Sequence, residues 1–419
     1  MSALLTDLYQ LTMAAGYWAE GKTHELATFE LFTRKLPPHR DFLVAAGLAQ
    51  AVDYLLNLRF TGDEIQFLRR LPQLQRAPDS FFEYLREFRF TGDVWAMPEG
   101  TPLLPNEPIL TLRAPVIEAQ IPETYLLAQI GFQTMIASKC VHVLQAAGEL
   151  PVVEMGTRRA HGPEAGVLAA RACYLAGAAG TSNVLAGQLY GVPVYGTAAH
   201  SWVMSFSRES QSFAALQKLL GPGTIYLIDT YDTLRAARTV SELGEPLWGV
   251  RIDSGDLAVL SRKVRQILDE AGLHRAKIMV TGDLHEDKIR ALIESGAPID
   301  SLGVGTDLAT SADAPNIGVI YKMVEMDGRY TAKNSEAKAT LPGHKQVFRQ
   351  ADRDVLALAK EEFPGEPLLQ PVLANGKLAK PLPGLEEIRA QVKRRLPPPS
   401  RVVVSHALLE IQSELQSEL

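Results

Sequence analysis

Between residues 151 and 304 the sequence changes repeatedly from short apolar, β-branched segments to longer segments with helical periodicity. Because strands that alternate with helices pair in parallel, the pattern predicts an α/β fold with a parallel sheet. Six clear strands with less regular ones between them favour an irregular (β/α) barrel over a doubly wound sheet. The predicted strands are residues 151–155, 193–195, 224–229, 248–253, 277–281 and 299–304. The predicted helices are residues 164–178, 182–190, 209–219, 233–243, 257–271 and 286–295.

The residues before this alternation predict a different, smaller α+β arrangement. Residues 27–32 alternate like a strand, and residues 91–115 contain short β-like pieces separated by prolines and glycines. A long helix is then predicted from residue 118 to about residue 148, where it leads into the barrel.

The alternation stops near residue 321, and the chain is predicted to return to the first domain. A hairpin is expected at Asp327-Gly328, because this dipeptide favours a tight two-residue turn. With residues 345–349, the hairpin is predicted to rejoin the early β segments, which makes the first domain discontinuous. The predicted domains are residues 1–117 with about 322–395, the barrel at 118–321, and a helical tail at 396–419.

Composition narrows the classes of partner and the compartment. The formal net charge of −6 argues against nucleic acid or an anionic membrane as a partner, although a local basic pocket can still bind an anionic substrate. Cys140 and Cys173 lie in apolar helical patterns, so we expect buried free thiols and a reducing, cytoplasmic location. The first residues lack the pattern of a signal peptide. Residues 167–187 are interrupted by polar side chains and predict a buried helix pair, not a membrane span.

Charged residues and glycines follow the end of every predicted barrel strand. Because the carboxyl ends of parallel strands in a barrel meet at one mouth, these groups are expected to share a site. Each group has an ordinary structural explanation, since Asp caps helices and Gly forms turns, but six such strand ends together favour a functional mouth. They are Glu154, Thr157, Arg158 and Arg159; Thr197 and His200; Asp229 and Asp232; Arg251, Asp253 and Asp256; Gly282 and Asp283; and Gly303, Gly305 and Thr306.

His200 is the residue at this mouth whose chemistry is most specific. It follows a short strand and a turn of small residues, 196–199, which leave its ring accessible. A histidine there transfers protons or accepts a phosphoryl group on a ring nitrogen. A structural histidine hydrogen-bonded beside Trp202 is the ordinary alternative.

The residues around the mouth suit a phosphate-bearing substrate and a divalent metal. Carboxylates hold Mg²⁺ while leaving ligand positions for substrate phosphates, and arginines bind phosphate or carboxylate oxygens. A glycine-rich turn at 303–306 allows backbone N–H groups to approach a phosphate. The sequence has no Walker P-loop and no strand-linked Gly-x-Gly-x-x-Gly, so a sugar phosphate is favoured over a dinucleotide.

Six motifs, in order along the first three quarters of the chain, resemble those of the nicotinate phosphoribosyltransferase family. The resemblance implies a type II phosphoribosyltransferase fold, a homodimer with shared active sites, and Mg²⁺. It also implies formation of nicotinate mononucleotide and pyrophosphate from nicotinate and phosphoribosyl pyrophosphate, coupled to ATP hydrolysis. The motifs are Asp7-Leu8-Tyr9-Gln10, Glu154-Met155-Gly156-Thr157-Arg158-Arg159, Gly180-Thr181-Ser182-Asn183, Gly196-Thr197-Ala198-Ala199-His200-Ser201, Arg251-Ile252-Asp253-Ser254-Gly255-Asp256 and Gly303-Val304-Gly305-Thr306.

The resemblance also implies roles for individual residues. His200 matches a histidine that ATP phosphorylates, and Tyr9 matches a tyrosine that stacks on the pyridine ring from the neighbouring subunit. Thr197 and Arg251 match nicotinate-site positions. The remaining matches are Arg158, Gly305 and Thr306 on the phosphoribosyl-phosphate side, and Asp229 and Asp253 around Mg²⁺ and pyrophosphate. Gly282, Asp283 and Gly303 are predicted as further substrate-binding positions from their place after barrel strands.

Two positions bear on the choice of substrate. Met155 stands where related enzymes usually have phenylalanine, so an aromatic sandwich around the ring is replaced by stacking on Tyr9 with a thioether on the other side. Ser182 stands where nicotinamide-using relatives carry aspartate, which predicts a preference for nicotinate. The alternatives are a nicotinamide or quinolinate phosphoribosyltransferase, or a catalytically silent barrel that senses a ligand. Which acid orients His200, Asp229 or Asp253, is left open by the sequence.

Overall fold

The computed structural model describes residues 2–333 and 340–417, which form two compact units. One unit contains Met1–Met135 and Asn316–Leu419, and the other contains Ile136–Pro315. The domain limits predicted from the sequence at 117/118, 321/322 and 395/396 stay a prediction. None of the helices in the described residues has the length and apolarity needed to cross a bilayer.

The discontinuous unit is built on an antiparallel sheet of seven strands. Its spatial order is Arg329–Tyr330, Val319–Met326, Leu26–Thr33, Leu110–Pro115, Asp93–Ala96, Gln370–Ala374 and Lys377–Leu378. The predicted hairpin is confirmed, with Asp327 and Gly328 at φ 47° and 77°, a conformation that suits a tight turn between strands. The strand before this turn pairs with Leu26–Thr33, which returns the chain to the first part of the unit.

Two smaller sheets complete the strands of this unit. One contains Glu366–Pro367, Lys345–Arg349, Asp354–Leu358 and Val402–Val404, and the other pairs Leu43–Val44 with Pro102–Leu103. Residues 345–349 lie in the same compact unit as the early β segments, but their strand pairs with Asp354–Leu358 and Glu366–Pro367. Lys345 ties this strand to the larger sheet, because its Nζ lies 2.7 Å from Glu30 Oε2 and its backbone N–H donates to Glu30 Oε1 at 2.9 Å.

The helix predicted from residue 118 is interrupted in the structure. The single helix predicted from residue 118 is instead two helices, Val116–Gln120 and Glu123–Ala147. Pro122 lies between them, and proline lacks the backbone N–H that an uninterrupted helix requires. The other helices are Leu8–Ala19, Leu48–Asn57, Gly62–Arg69, Asp79–Glu87, Leu385–Arg395 and His406–Ser417, with a 3₁₀ turn at Pro72–Leu74.

The second unit contains a parallel sheet of six strands, as the alternation predicts. Its spatial order is Gly180–Thr181, Val152–Glu154, Ser301–Val304, Lys277–Val280, Gly249–Ile252 and Ile225–Leu227. Along the chain, Val152–Glu154 is the first of these six strands and Ser301–Val304 is the last. The two pair with each other, as the first and last strands of a closed barrel do. Val194 extends the sheet beyond Thr181 by an isolated bridge. The predicted parallel sheet is confirmed, and in the described residues no backbone ladder joins Val194 to Ile225–Leu227, so the barrel is irregular at this seam.

Helices follow these strands and cover them. They are Pro163–Ala176, Val184–Tyr190, His200–Met204, Glu209–Leu220, Thr233–Leu243, Leu257–Glu270, Glu286–Glu294 and Thr306–Thr310, with 3₁₀ turns at Thr157–Arg159 and Gly221–Gly223. Strand residues such as Val250, Ile278 and Leu302 are fully buried, as expected for a sheet covered by helices. Cys140 and Cys173 are buried free thiols, which confirms that prediction.

Candidate active site

The carboxyl ends of the barrel strands surround a cavity of about 410 Å³. Of the residues predicted for the site, Arg158, Ser182, Thr197, His200, Arg251 and Asp253 line it together, whereas Asp229, Gly282, Asp283, Gly303, Gly305 and Thr306 are not among its lining residues. The lining residues are Met155, Thr157, Arg158, Ser182, Gly196, Thr197, Ala198, Ala199, His200, Leu227, Arg251 and Asp253. All of them belong to the barrel unit.

Arg251 organises one wall of the cavity through hydrogen bonds from its guanidinium group. Its Nε donates to Thr281 Oγ1 at 2.9 Å, and one terminal nitrogen donates to Thr197 Oγ1 at 3.0 Å. The other terminal nitrogen lies 2.6 Å from Asp253 Oδ1, which also accepts a hydrogen bond from the Thr281 hydroxyl. Burial alone would raise the pKa of Asp253, but the hydrogen bonds from Thr281 and Arg251 outweigh it and lower that pKa. Asp253 is therefore held as a carboxylate.

Asp229 lies directly beside Asp253. Its Oδ2 accepts hydrogen bonds from the backbone N–H of Asp253 at 3.2 Å and from Ser254 Oγ at 2.5 Å. Its Oδ1 is buried and has no hydrogen-bond partner within the described residues. A buried carboxylate oxygen without a donor is destabilising unless a ligand satisfies it, so Asp229 is suited to a cation or a bound donor.

His200 begins the short helix His200–Met204, after the turn of small residues predicted from the sequence. Its Nδ1 lies 3.1 Å from Thr230 Oγ1, and its Nε2 lies 3.8 Å from Asp253 Oδ2. The side chain is 42% exposed, so a substrate in the cavity can reach it. Of the two acids that the sequence left open, Asp253 lies beside the ring. Thr230 was not singled out, because threonine after a strand is ordinary turn chemistry.

Buried Glu154 supports the loop that carries Met155 and Arg158. Its side chain accepts hydrogen bonds from the Gly156 N–H and, at 2.5 Å, from Thr181 Oγ1. Burial raises the pKa of Glu154, and these two hydrogen bonds oppose that rise. Its backbone carbonyl accepts from the Ser182 N–H at 2.8 Å, so Arg158 and Ser182 are carried by loops tied to one residue.

The predicted glycine positions lie close to these loops. At Gly303 a side chain would clash, because an added Cβ would lie 2.8 Å from Met155 Sδ and 2.5 Å from Thr281 Cγ2. At Gly305 an added Cβ would lie 3.1 Å from the Met155 carbonyl oxygen, and Thr306 begins the helix Thr306–Thr310.

Gly282 and Asp283 form the turn after the strand Lys277–Val280. Gly282 has φ 98° and lies so close to the Asp253 carbonyl that an added Cβ would be 2.2 Å from it. Asp283 also has a positive φ of 48°, and its carbonyl accepts from Lys288 Nζ at 2.9 Å. The turn is therefore fixed against the backbone of Asp253.

Tyr9 belongs to the other compact unit and is not among the residues lining the cavity. Its ring is 48% exposed, and its hydroxyl lies 3.4 Å from Glu123 Oε1. Burial raises the pKa of Tyr9, with smaller contributions from Glu123 and Asp7. The exposed aromatic surface is available for stacking.

Two family models match the chain. Residues 4–131 match the nicotinate phosphoribosyltransferase N-terminal domain, and residues 150–366 match the nicotinate phosphoribosyltransferase family. The chain is 46% identical to the nicotinate phosphoribosyltransferase pncB2 of Mycobacterium tuberculosis, over 96% of this chain and 89% of that protein. It is 41% identical to nicotinate phosphoribosyltransferase of Bacillus subtilis, over 86% of this chain and 77% of that protein.

A solved structure agrees with these matches. The crystal structure of human nicotinic acid phosphoribosyltransferase superposes with a TM-score of 0.88 at 31% identity, over 98% of this chain and 99% of that one. The match spans both compact units. The chain belongs to the nicotinate phosphoribosyltransferase family.

Proposed function

We propose that the protein forms nicotinate mononucleotide and pyrophosphate from nicotinate and phosphoribosyl pyrophosphate, as a step of NAD biosynthesis. The observation that carries the proposal is the shared cavity of Arg158, Ser182, His200, Arg251 and Asp253 in a member of this family. The cavity combines cations for an anionic substrate with a carboxylate and a reachable imidazole.

The residues present perform this transfer mainly by positioning and charge. The bond between ribose C1 and pyrophosphate weakens through an oxocarbenium-like state while the pyridine nitrogen approaches from the opposite side. Holding the two at near-attack geometry lowers the barrier by on the order of 7–11 kcal/mol. Arg158, Arg251 and Thr197 line the cavity. Arg158 would neutralise phosphate charge, and Arg251 and Thr197 would bind the nicotinate carboxylate.

Mg²⁺ fits the donor set at Asp229 and Asp253. Both offer hard carboxylate oxygens, and Asp229 Oδ1 is buried without a hydrogen-bond partner in the described residues. Among those residues no cluster of three or more His, Cys, Asp or Glu side chains is placed to hold a metal alone, which suits a cation completed by substrate phosphates and water. When bound, Mg²⁺ would neutralise charge on the departing pyrophosphate.

ATP is proposed as a co-substrate that phosphorylates His200. Nicotinate's ring nitrogen is already unprotonated near neutral pH, so ribosyl transfer requires no general base. A neutral imidazole beside bound phosphates can instead attack the γ-phosphorus of ATP, releasing ADP. Oδ2 of Asp253 lies 3.8 Å from Nε2 of His200. Asp253 is therefore placed to stabilise positive charge on the ring during that step.

Nicotinate is proposed over nicotinamide because of the charges around Ser182. This side chain lines the cavity without a charge, whereas Arg251 offers a guanidinium group to a carboxylate. Asn183 accepts from the Ala186 N–H at 2.8 Å and caps the helix Val184–Tyr190. Ser182 is therefore not needed as that cap.

A homodimer with shared active sites is proposed, in which Tyr9 of one subunit stacks on the pyridine ring held by the other. The exposed ring of Tyr9 supports this role. A cytoplasmic location is part of the same proposal, and the buried free thiols Cys140 and Cys173 suit a reducing compartment.

One panel of assays tests the function. Pyrophosphate release would be measured with phosphoribosyl pyrophosphate plus nicotinate and, separately, plus nicotinamide, each with and without ATP. We expect release with nicotinate that ATP accelerates, and little with nicotinamide. Release only with nicotinamide would favour a nicotinamide phosphoribosyltransferase. No release of pyrophosphate with either pyridine substrate would favour a catalytically silent barrel.

A further inference from the structure

A lysine buried in the barrel unit has no part in the site described above. Lys139 lies in the helix Glu123–Ala147, and its side chain is 1% exposed. Its Nζ contacts three carboxylates, at 2.6 Å from Glu286 Oε2, 2.6 Å from Asp307 Oδ2 and 3.1 Å from Asp313 Oδ1. A buried ammonium group is costly unless paired, so these contacts are required for the residue to be charged.

The three carboxylates come from segments that follow the last two strands of the barrel along the chain. Glu286 begins the helix after the turn of Gly282 and Asp283. Asp307 directly follows Gly305 and Thr306. Lys139 therefore joins, through one charged group, the two turns that carry the predicted phosphate-side residues.

Without Lys139, the three carboxylates of this cluster would repel a phosphate. Burial would lower the pKa of Lys139, but hydrogen bonds to Asp307 and Glu286 outweigh it and raise that pKa. Burial raises the pKa of Asp307, and the bond and charge of Lys139 oppose this rise. Removing the ammonium group would leave carboxylates beside the turn at Gly305 with no buried cation to offset them.

We propose that Lys139 is a positioning residue for the phosphate side of the substrate, holding the segments 282–286 and 303–313 together and offsetting their carboxylates. The inference rests on the proposed function, because it concerns the binding of phosphoribosyl pyrophosphate. Lys139 acts through the turns and touches no reacting atom.

The test compares Lys139→Met with Lys139→Arg and with a matched control. The control is Lys277→Met, which removes the 2.8 Å ion pair to Asp300 at the opposite end of the strand that leads to Gly282. For Lys139→Met we expect the KM and the calorimetric Kd for phosphoribosyl pyrophosphate to rise by about tenfold or more, while the nicotinate KM changes by less than about threefold. Lys139→Arg should recover most of the affinity, and Lys277→Met should resemble the unaltered protein.

A second variant separates charge from a general loss of structure. Adding Asp313→Asn to Lys139→Met removes one of the unbalanced carboxylates and should restore part of the affinity for phosphoribosyl pyrophosphate. If Lys139→Met does not fold, Asp313→Asn alone carries the test and should lower the KM for that substrate by about twofold. An unchanged KM in the variant measured would overturn the inference.

Failure of the inference is distinguishable from failure of the function. If the unaltered protein releases no pyrophosphate and binds no phosphoribosyl pyrophosphate, the proposed function fails. If it is active and folded Lys139→Met keeps its affinity, or loses affinity for both substrates equally, only the role of Lys139 is refuted.

Discussion

The Nε2 atom of His200 lies 3.8 Å from Oδ2 of Asp253, while Nδ1 on the other side of the ring lies 3.1 Å from Thr230 Oγ1. The imidazole is therefore held between a carboxylate and a hydroxyl group. Asp253 is in turn fixed by Arg251 and Thr281, which lower its pKa and keep it charged. This arrangement suits a histidine that carries positive charge briefly, as it does while accepting a phosphoryl group.

Replacing His200 should separate ATP use from ribosyl transfer. His200→Asn keeps a polar side chain but cannot be phosphorylated, so we expect loss of ATPase activity and of ATP stimulation, with slow ATP-independent transfer retained. Mononucleotide formation measured with and without ATP checks this. Stimulation equal to that of the unaltered protein would show that His200 is not the coupling residue. His161→Asn is a suitable control, because this histidine is exposed and outside the cavity lining.

A charge placed at Ser182 should invert the preference between pyridine substrates. Ser182→Asp would repel the carboxylate of nicotinate and accept a hydrogen bond from an amide N–H. An unmatched charge in such a site costs on the order of a few kcal/mol, so kcat/KM for nicotinate should fall by about a hundredfold. Both substrates would be assayed.

Ser182→Asn is the control for size without charge, because asparagine is isosteric with aspartate. Because Asn183 provides the helix cap, neither change at Ser182 should unfold the helix Val184–Tyr190. If Ser182→Asp retains the activity and selectivity of the unaltered protein, the side chain does not determine specificity.

Subunit mixing tests whether Tyr9 acts across a dimer. Tyr9→Ala and His200→Ala should each abolish the ATP-stimulated activity of a homodimer, but a mixed dimer contains one site with both residues intact. Because one of its two sites is intact, a mixed dimer should have up to about half of the activity of an unaltered dimer. The activity would be measured after the two variants are refolded together or co-expressed with different tags. Absence of recovery in purified mixed dimers would indicate that Tyr9 acts within its own subunit or only in packing.

The sequence predicted the barrel well because its strands and helices differ in periodicity, which packing against one core enforces. It missed Gly180–Thr181, since two residues cannot show a period, although they place Ser182 at the mouth. It missed Val402–Val404 because the strand follows a proline-rich segment and pairs far along the chain, with Asp354–Leu358.

Most of the site residues were predicted because they follow strands, whereas Tyr9 was predicted only from the family resemblance. Thr230 and Lys139 were not predicted, for different reasons. The hydroxyl of Thr230 becomes informative only when the ring of His200 is placed beside it. Lys139 lies in a helix, where lysine usually faces water, and its three partners are far away in sequence.

A half-buried histidine in the discontinuous unit gives a prediction for acid stability. The ring of His344 packs against Trp95 with 4.6 Å between ring centroids. Burial, followed by the charges of Lys345 and Arg113, lowers the pKa of His344 from 6.5 to about 4. As the pH falls below 6.5, the unfolded chain takes up a proton that the folded protein does not, so the free energy of unfolding decreases until about pH 4. The upper bound on this loss is about 3 kcal/mol.

His344→Gln removes the titrating group, and we expect it to flatten the decline in stability between pH 6.5 and pH 4. Urea unfolding at several pH values would measure it, with His24→Gln as the control because His24 is exposed in the same unit. The control should keep the decline of the unaltered protein. Parallel curves for His344→Gln and the unaltered protein would mean that His344 is protonated in the folded state as easily as in the unfolded chain, and that its packing against Trp95 does not destabilise the charged ring.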